Sequence, residues 1–154
     1  MTIKQASQSD KDRLLEVVDL FNDFANSLDS NWDGKATDFS RKNSGELYDL
    51  IVNSNQSTLF FAEEDNNIAG FIEIHRVPRL RKAKYYGEIE LMFVKEEYRG
   101  TDVAQELMTA VIKWGEEQDL DCVRLYSGFE LKRAHAFYEK MGFKHAGRTY
   151  KYTF

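Results

Sequence analysis

Residues Arg99-Gly100-Thr101-Asp102-Val103-Ala104 lie between an apolar run, Leu91-Met92-Phe93-Val94, and a helical stripe that begins at Val103. A strand, a glycine turn and a helix start in that order can present a row of backbone N–H groups at the positive end of a helix, where phosphate binds. Two familiar phosphate loops are excluded. The Gly-Lys-Ser/Thr ending of a P-loop is absent, and residues 100–105 supply one glycine where a dinucleotide fingerprint needs three. On its own an Arg-Gly pair before a helix is no more than a turn. Asp102 puts a carboxylate inside the cradle, yet Asp is also a favoured helix cap and suits the helix dipole. Upstream, Glu88 and Glu90 stand two residues apart and so share one strand face. Such carboxylates can accept a proton from a substrate or simply face solvent.

The elements that must position these groups follow from periodicity. Residues 2–6 read as a short strand. Leu14, Leu15, Val17, Val18, Phe21 and Phe24 form a helical stripe in 7–28, with Ser9 or Asp10 as its cap. A loop, "NWDGKATDF", precedes a second helix over 44–54. "TLFFAEE" and "IAGFIEIHRV" flank the turn "DNN" as a hairpin. Residues 79–84 form a basic, solvated tip with Arg79, Arg81, Lys82 and Lys84, and 85–94 form a strand. A helix over 102–118 carries Val103, Leu107, Ala110, Val111 and Trp114. A strand at 121–126, a helix over 131–141 closed by Gly142 at C′, and a final strand over 149–154 complete the chain. Strand, helix, strand in the middle predicts a parallel pair with a right-handed crossover. The fold class is therefore α/β: a single domain over 1–154 with a mixed sheet and helices on it.

Composition narrows the function. The chain has 154 residues, 42% hydrophobic and 31% charged, enough for one globular core without staples. A net charge of −5 lacks the basic footprint of a nucleic-acid binder and suits a cationic substrate. No stretch approaches the roughly 18 apolar residues of a membrane span, and the first residues carry no leader-like apolar run. One cysteine, Cys122, allows no internal disulfide and reads as a small core hydrophobe. A reducing, cytoplasmic setting fits. His75, His135 and His145 lack metal-ligand spacing, so no metal is expected.

Two longer stretches resemble one family. "EIELMFVKEEYRGTDVA" resembles the acyl-CoA motif of the GNAT superfamily of N-acetyltransferases, Arg/Gln-x-x-Gly-x-Gly/Ala after a strand ending in Val. Arg99 matches its first position and Ala104 its last, while Asp102 replaces the middle glycine. "RAHAFYEKMGFKHAGR" resembles the second motif through Ala134, Tyr138, Gly142 and Phe143. Leu131 stands where an asparagine is frequent. The resemblance covers the chain from about residue 3 onward and is strongest over 86–145.

That resemblance implies transfer of an acetyl group from acetyl-CoA to a primary amine. It implies a central strand that splays from its neighbour at a bulge near Leu91–Val94, where Met92, Phe93 and Val94 offer free backbone to the pantetheine arm and one N–H to the oxyanion. Arg99, Gly100, Thr101, Asp102, Val103 and Ala104 would hold the pyrophosphate, with Lys95 nearby. Glu88 takes the position of the base, directly or through water, and Tyr138 that of the acid that protonates the leaving thiolate. Phe137 fills the core while Tyr138 points elsewhere. Trp32, Asp29 and Asp33 fall in the segment that lines the acceptor pocket. The partners expected are an amine acceptor and a second copy in a homodimer, with neither nucleic acid nor membrane. A small cationic amine, such as an aminosugar or polyamine, is preferred to a protein N-terminus or lysine. Asp102 and Leu131 motivate the alternative, a non-catalytic binding module of the same fold.

Overall fold

A computed structural model describes residues 1–28 and 35–154. Strand β1 (Thr2–Gln5) leads into helix α1 (Lys11–Asn26), and helix α2 (Asp38–Val52) follows. β2 (Ser57–Glu64) and β3 (Asn67–Arg79) form the hairpin. Its turn puts Asp65 and Asn66 at φ +47° and +65°, the left-handed pair that matches the twist of a two-residue hairpin. β4 (Lys84–Val94), helix α3 (Val103–Glu117), β5 (Val123–Leu125) and helix α4 (Lys132–Lys140) complete the described elements. The strand order is β1-β2-β3-β4-β5, antiparallel except for the parallel pair β4–β5.

Each sheet face buries its own apolar cluster. Ile72, Ile74 and Ile89 meet Val103, Leu107, Met108 and Val111 of α3 on one side. Phe61, Phe71 and Phe93 meet Leu14 and Val17 of α1 and Tyr48 of α2 on the other. Burying each such side chain contributes roughly 1.5–3 kcal/mol, so these two layers fix where the strands lie.

Several boundaries differ from expectation for physical reasons. α2 begins six residues early, because Thr37 caps it by accepting the Ser40 N–H at 3.3 Å. The Asp10 carboxylate does not cap α1. It accepts from the Ser7 N–H at 3.0 Å and the Ser7 hydroxyl at 2.7 Å, closing the short turn before the helix. Cys122 is exposed rather than buried, since it sits on the outermost strand's approach and not between layers. The basic tip is pinned rather than free: Asp121 accepts from Arg79 at 2.7 Å and Lys82 at 2.9 Å. Residues 144–154 form no strand. Their alternation marks a face, but no neighbouring strand supplies the backbone partners that a strand requires. No helix among the described residues is long and apolar enough to cross a membrane.

Candidate active site

The centre of the sheet opens where β4 and β5 stop pairing. Gly87, Glu88 and Ile89 lie opposite Val123, Arg124 and Leu125, and the ladder ends there. β4 is also bulged: Glu73 and Ile74 on β3 face Leu91 and Ile89, so Glu90 is the extra residue. The bulge thus falls before Leu91–Val94 rather than within it. It resets the alternation, since Ile89 and Met92 pack on the α3 face while Leu91 and Phe93 pack toward α1. Strict alternation would keep Glu88 and Glu90 on one face; the bulge breaks it between them.

Beyond the bulge, the Lys95 N–H donates to Ala69 O at 2.9 Å across to β3. The carbonyl of the same peptide, Val94 C=O, therefore points the other way, toward the opening. Alternation puts the Val94 N–H and the Met92 backbone groups on that side as well, while the Phe93 groups face β3. Arg99 covers this edge. Its Nε donates to Val94 O at 3.1 Å, and its guanidinium lies 5.0 Å from the Phe24 ring and 5.9 Å from the Phe93 ring. Arg99 thus bridges α1 and β4 rather than reaching freely into the turn.

The turn ahead of α3 needs Gly100 for its conformation, φ +89°, and not for space: nothing lies within 4 Å of an added Cβ. The Thr101 hydroxyl donates to Tyr98 O at 2.7 Å. Asp102 occupies the N-cap position, but its side chain makes no capping bond, contrary to the capping role the sequence allows it. Its backbone is already helical (φ −77°, ψ −3°), a geometry that turns an Asx side chain away from the N2 and N3 amides. The first intrahelical bond runs from the Glu106 N–H to Asp102 O at 2.9 Å; of the amides before it, the Val103 N–H meets the Thr101 hydroxyl at 3.5 Å, and those of Ala104 and Gln105 have no partner within the helix ladder.

A polar row crosses three strands on the α1 side of the sheet. His75 lies opposite Glu88, and Glu88 lies opposite Arg124. Arg124 donates to Glu88 Oε2 from Nε at 3.1 Å and Nη2 at 2.9 Å, and also to the Tyr86 hydroxyl at 2.6 Å. Glu88 is therefore a carboxylate paired with Arg124 through one of its two oxygens. Glu73, only 7% exposed, holds the His75 ring at 2.5 Å. That bond keeps His75 protonated to higher pH than an ordinary histidine, with Glu90 acting in the same sense and burial opposing.

Because the folded-state pKa of His75 is raised, its contribution to stability is full below about pH 6.5 and fades as pH rises through the folded value. Glu73→Gln should therefore lower the melting temperature more at pH 6 than at pH 9. Equal losses at the two pH values would assign the pair to packing alone.

Tyr138 sits on α4 against the α3-side cluster, 5.5 Å from the Phe137 ring and 6.1 Å from Phe143. Neighbouring residues were expected to diverge, but both rings join one cluster. They are only 100° apart on the helix, and a globular apolar face is at least that wide. Burial raises the Tyr138 pKa. Trp32, Asp29 and Asp33 lie outside the described residues. The sequence reading missed Arg124, Glu73 and the bonded role of His75. Arg124 alternating with Val123 and Leu125 was the available signal.

The model of the acetyltransferase (GNAT) family matches residues 18–143. No curated protein sequence matches the chain. Among solved structures, the aminoglycoside acetyltransferase meta-AAC0020 from an uncultured soil metagenomic sample, in complex with sisomicin, superposes with a TM-score of 0.80 at 16% identity, over 99% of this chain and 95% of that one. AAC(6')-Iy with a bisubstrate analog, CoA-S-monomethyl-acetylneamine, gives 0.79 at 19% identity over 99% and 96%. The ribosomal-protein-alanine N-acetyltransferase of Brucella melitensis biovar Abortus 2308 gives 0.76 at 15% identity over 99% and 98%. At these identities the likeness is one of fold: a mixed, five-stranded sheet among the described residues, with helices on both faces.

Proposed function

The chain belongs to the GNAT acetyltransferase family, and from that premise we propose that it transfers the acetyl group of acetyl-CoA to a small cationic amine. The observation that carries this reading is the open edge of β4, which loses its parallel partner after Ile89 and runs directly into the Gly100 turn and the start of α3. The Met92 and Val94 backbone would receive the pantetheine arm as an added strand, and one N–H there would meet the developing oxyanion. The turn Arg99–Ala104 would hold the pyrophosphate, with the Arg99, Thr101 and Val103 amides first leaving Glu96 O, Tyr98 O and the Thr101 hydroxyl. Entry requires Arg99 to leave the Val94 carbonyl, and the incoming phosphates offer its guanidinium an anionic replacement.

An acceptor amine is protonated at neutral pH and must lose a proton before it attacks the acyl carbon. Glu88 is the proposed proton acceptor. Arg124 bonds it through Oε2, which fixes the carboxylate and leaves Oε1 as the oxygen for the acceptor. The amine then bonds to the acyl carbon, the thiolate leaves, and Tyr138 supplies the thiolate's proton. The preference for a cationic acceptor rests on the net charge of −5 and on the Glu88 carboxylate where β4 and β5 part. The sisomicin and acetylneamine ligands of two structural neighbours lend support. The reading as a non-catalytic module draws on the exposed Asp102 carboxylate in the turn.

Calorimetric titration with acetyl-CoA, then an acetyl-CoA consumption screen over aminosugars, polyamines and peptide amines, tests the proposal. Asp102→Gly should tighten acetyl-CoA by on the order of 1 kcal/mol, about five-fold, and less at high salt. With no capping bond to lose, its stability cost is the added backbone freedom, about 0.5–1 kcal/mol. No binding by either protein would leave the non-catalytic module standing.

A further inference from the structure

We propose that the Glu73–His75 pair is the proton sink of the acceptor site: the proton that Glu88 takes from the amine passes on to His75 across the β3–β4 pair. Acetyl transfer to an amine, with Glu88 as first acceptor, is the premise. A carboxylate, at an ordinary pKa of about 4.3, is roughly 10⁶-fold less basic than an alkylamine at about 10.4. An imidazole, at about 6.5, narrows the gap to roughly 10⁴-fold. A carboxylate alone thus holds the proton poorly, and a neighbouring imidazole draws it away. The register supplies that neighbour. His75 is the β3 residue opposite Glu88, and side chains so placed start about 4.5–5.5 Å apart at Cβ. From the other side, on β5, Arg124 occupies Glu88 Oε2. Oε1 remains as the oxygen that gains the proton and gives it up.

His75 is held as a base is held. Its Nε2 meets Glu73 Oε1 at 2.5 Å, and Glu73 is buried. An ionised carboxylate only accepts, so Nε2 carries the hydrogen and the neutral ring presents its lone pair at Nδ1. Nδ1 has no hydrogen-bond partner among the described residues. The ring is partly exposed, so a proton taken at Nδ1 can leave to water. The Glu73 bond favours the protonated ring most, the Glu90 charge on β4 acts in the same sense, and burial opposes both. Ser57, opposite His75 on β2, carries no charge, and Arg124 stands beyond Glu88 on β5. The ring is thus a stronger base than an ordinary histidine. In the relay the amine N–H bond breaks, and its electron pair stays on nitrogen for the attack on the acyl carbon. The proton joins Glu88 Oε1, moves to His75 Nδ1, and leaves the imidazolium for solvent. Glu88 is a carboxylate again.

The test is kcat/KM against pH, with acetyl-CoA and the aminosugar or polyamine that consumes it fastest. The ring must be neutral to accept, so kcat/KM should rise with pH through the folded-state pKa of His75, above its ordinary value of about 6.5. His75→Gln keeps an amide N–H for Glu73 but cannot take a proton. It should lower kcat/KM by about 10²-fold near pH 8, the low end for a proton-transfer group, and erase the rising limb. Acetyl-CoA affinity by calorimetry should stay unchanged. Glu73→Gln keeps the ring and removes its carboxylate, so the limb should move to lower pH. Proton NMR of the wild type, which needs no variant, should show one of the 3 histidine rings titrating along the same limb. A limb that no ring follows overturns the relay. So does a His75→Gln variant that keeps the limb, whether its rate is intact or uniformly reduced, because the pair is then structural. A wild type that acetylates no amine overturns the relay together with its premise, whereas the other outcomes leave acetyl transfer standing.

Discussion

Tyr138→Phe is expected to lower kcat by about 10²–10⁴-fold, the usual range for a positioned general acid, while the affinity for acetyl-CoA changes little. The substitution removes one oxygen and keeps the ring that packs against Phe137 and Phe143, so the fold should tolerate it. Burial raises the phenol's pKa above its ordinary value of about 10, which keeps the proton in place across neutral and mildly alkaline pH. A proton lent to the leaving thiolate matters only as the C–S bond breaks. Its loss therefore falls on kcat and kcat/KM together rather than on binding. Steady-state kinetics beside a calorimetric titration of the variant separate the two. Unchanged turnover would reduce Tyr138 to a core aromatic, and a parallel loss of affinity would make it a binding group instead.

The long periodic elements were legible because packing repeats along them. Leu14 and Val17 on α1, and Val103, Leu107 and Val111 on α3, announce a buried stripe in sequence and are buried in the structure. The hairpin was legible because Asp65 and Asn66 are residues that tolerate the left-handed turn. The interior of the site was less so. A bulge at Glu90 changes no composition, yet it moves every later side chain of β4 to the other face. The pairing of Glu88 with Arg124 depends on the register of strands 36 residues apart, which no local pattern encodes. Asp102 looked like a cap because residue type sets that preference, but its helical dihedrals withdraw the side chain from the bond. The final alternation, Tyr150 to Phe154, was a sound sign of a strand face but said nothing about which sheet would receive it.

Gly70→Ala should damage both the fold and the cofactor site, because β3 and β4 approach most closely where the site begins. A Cβ at residue 70 would stand 2.5 Å from Phe93 O, 3.1 Å from Val94 Cα and 3.3 Å from Val94 Cγ2. Backbone atoms cannot turn aside as a side chain can, so β4 must move away from β3. Overpacking of this kind costs about 1–3 kcal/mol. In a domain of this size that corresponds to a fall in melting temperature on the order of 2–12 °C. The displaced residues are Phe93 and Val94, next to the free edge that the pantetheine arm would join. Acetyl-CoA affinity should therefore fall at least ten-fold at temperatures where the variant remains fully folded. Gly147→Ala is the matched control, since nothing lies within 4 Å of its added Cβ, and it should leave both quantities unchanged. Thermal melts and calorimetric titrations of the two variants decide the matter. If Gly70→Ala is destabilised but binds acetyl-CoA like the wild type, the edge at Met92–Val94 is not where the cofactor lies. If it is neither destabilised nor weakened, β4 yields without cost, and the close approach of the two strands is not what holds the opening in shape.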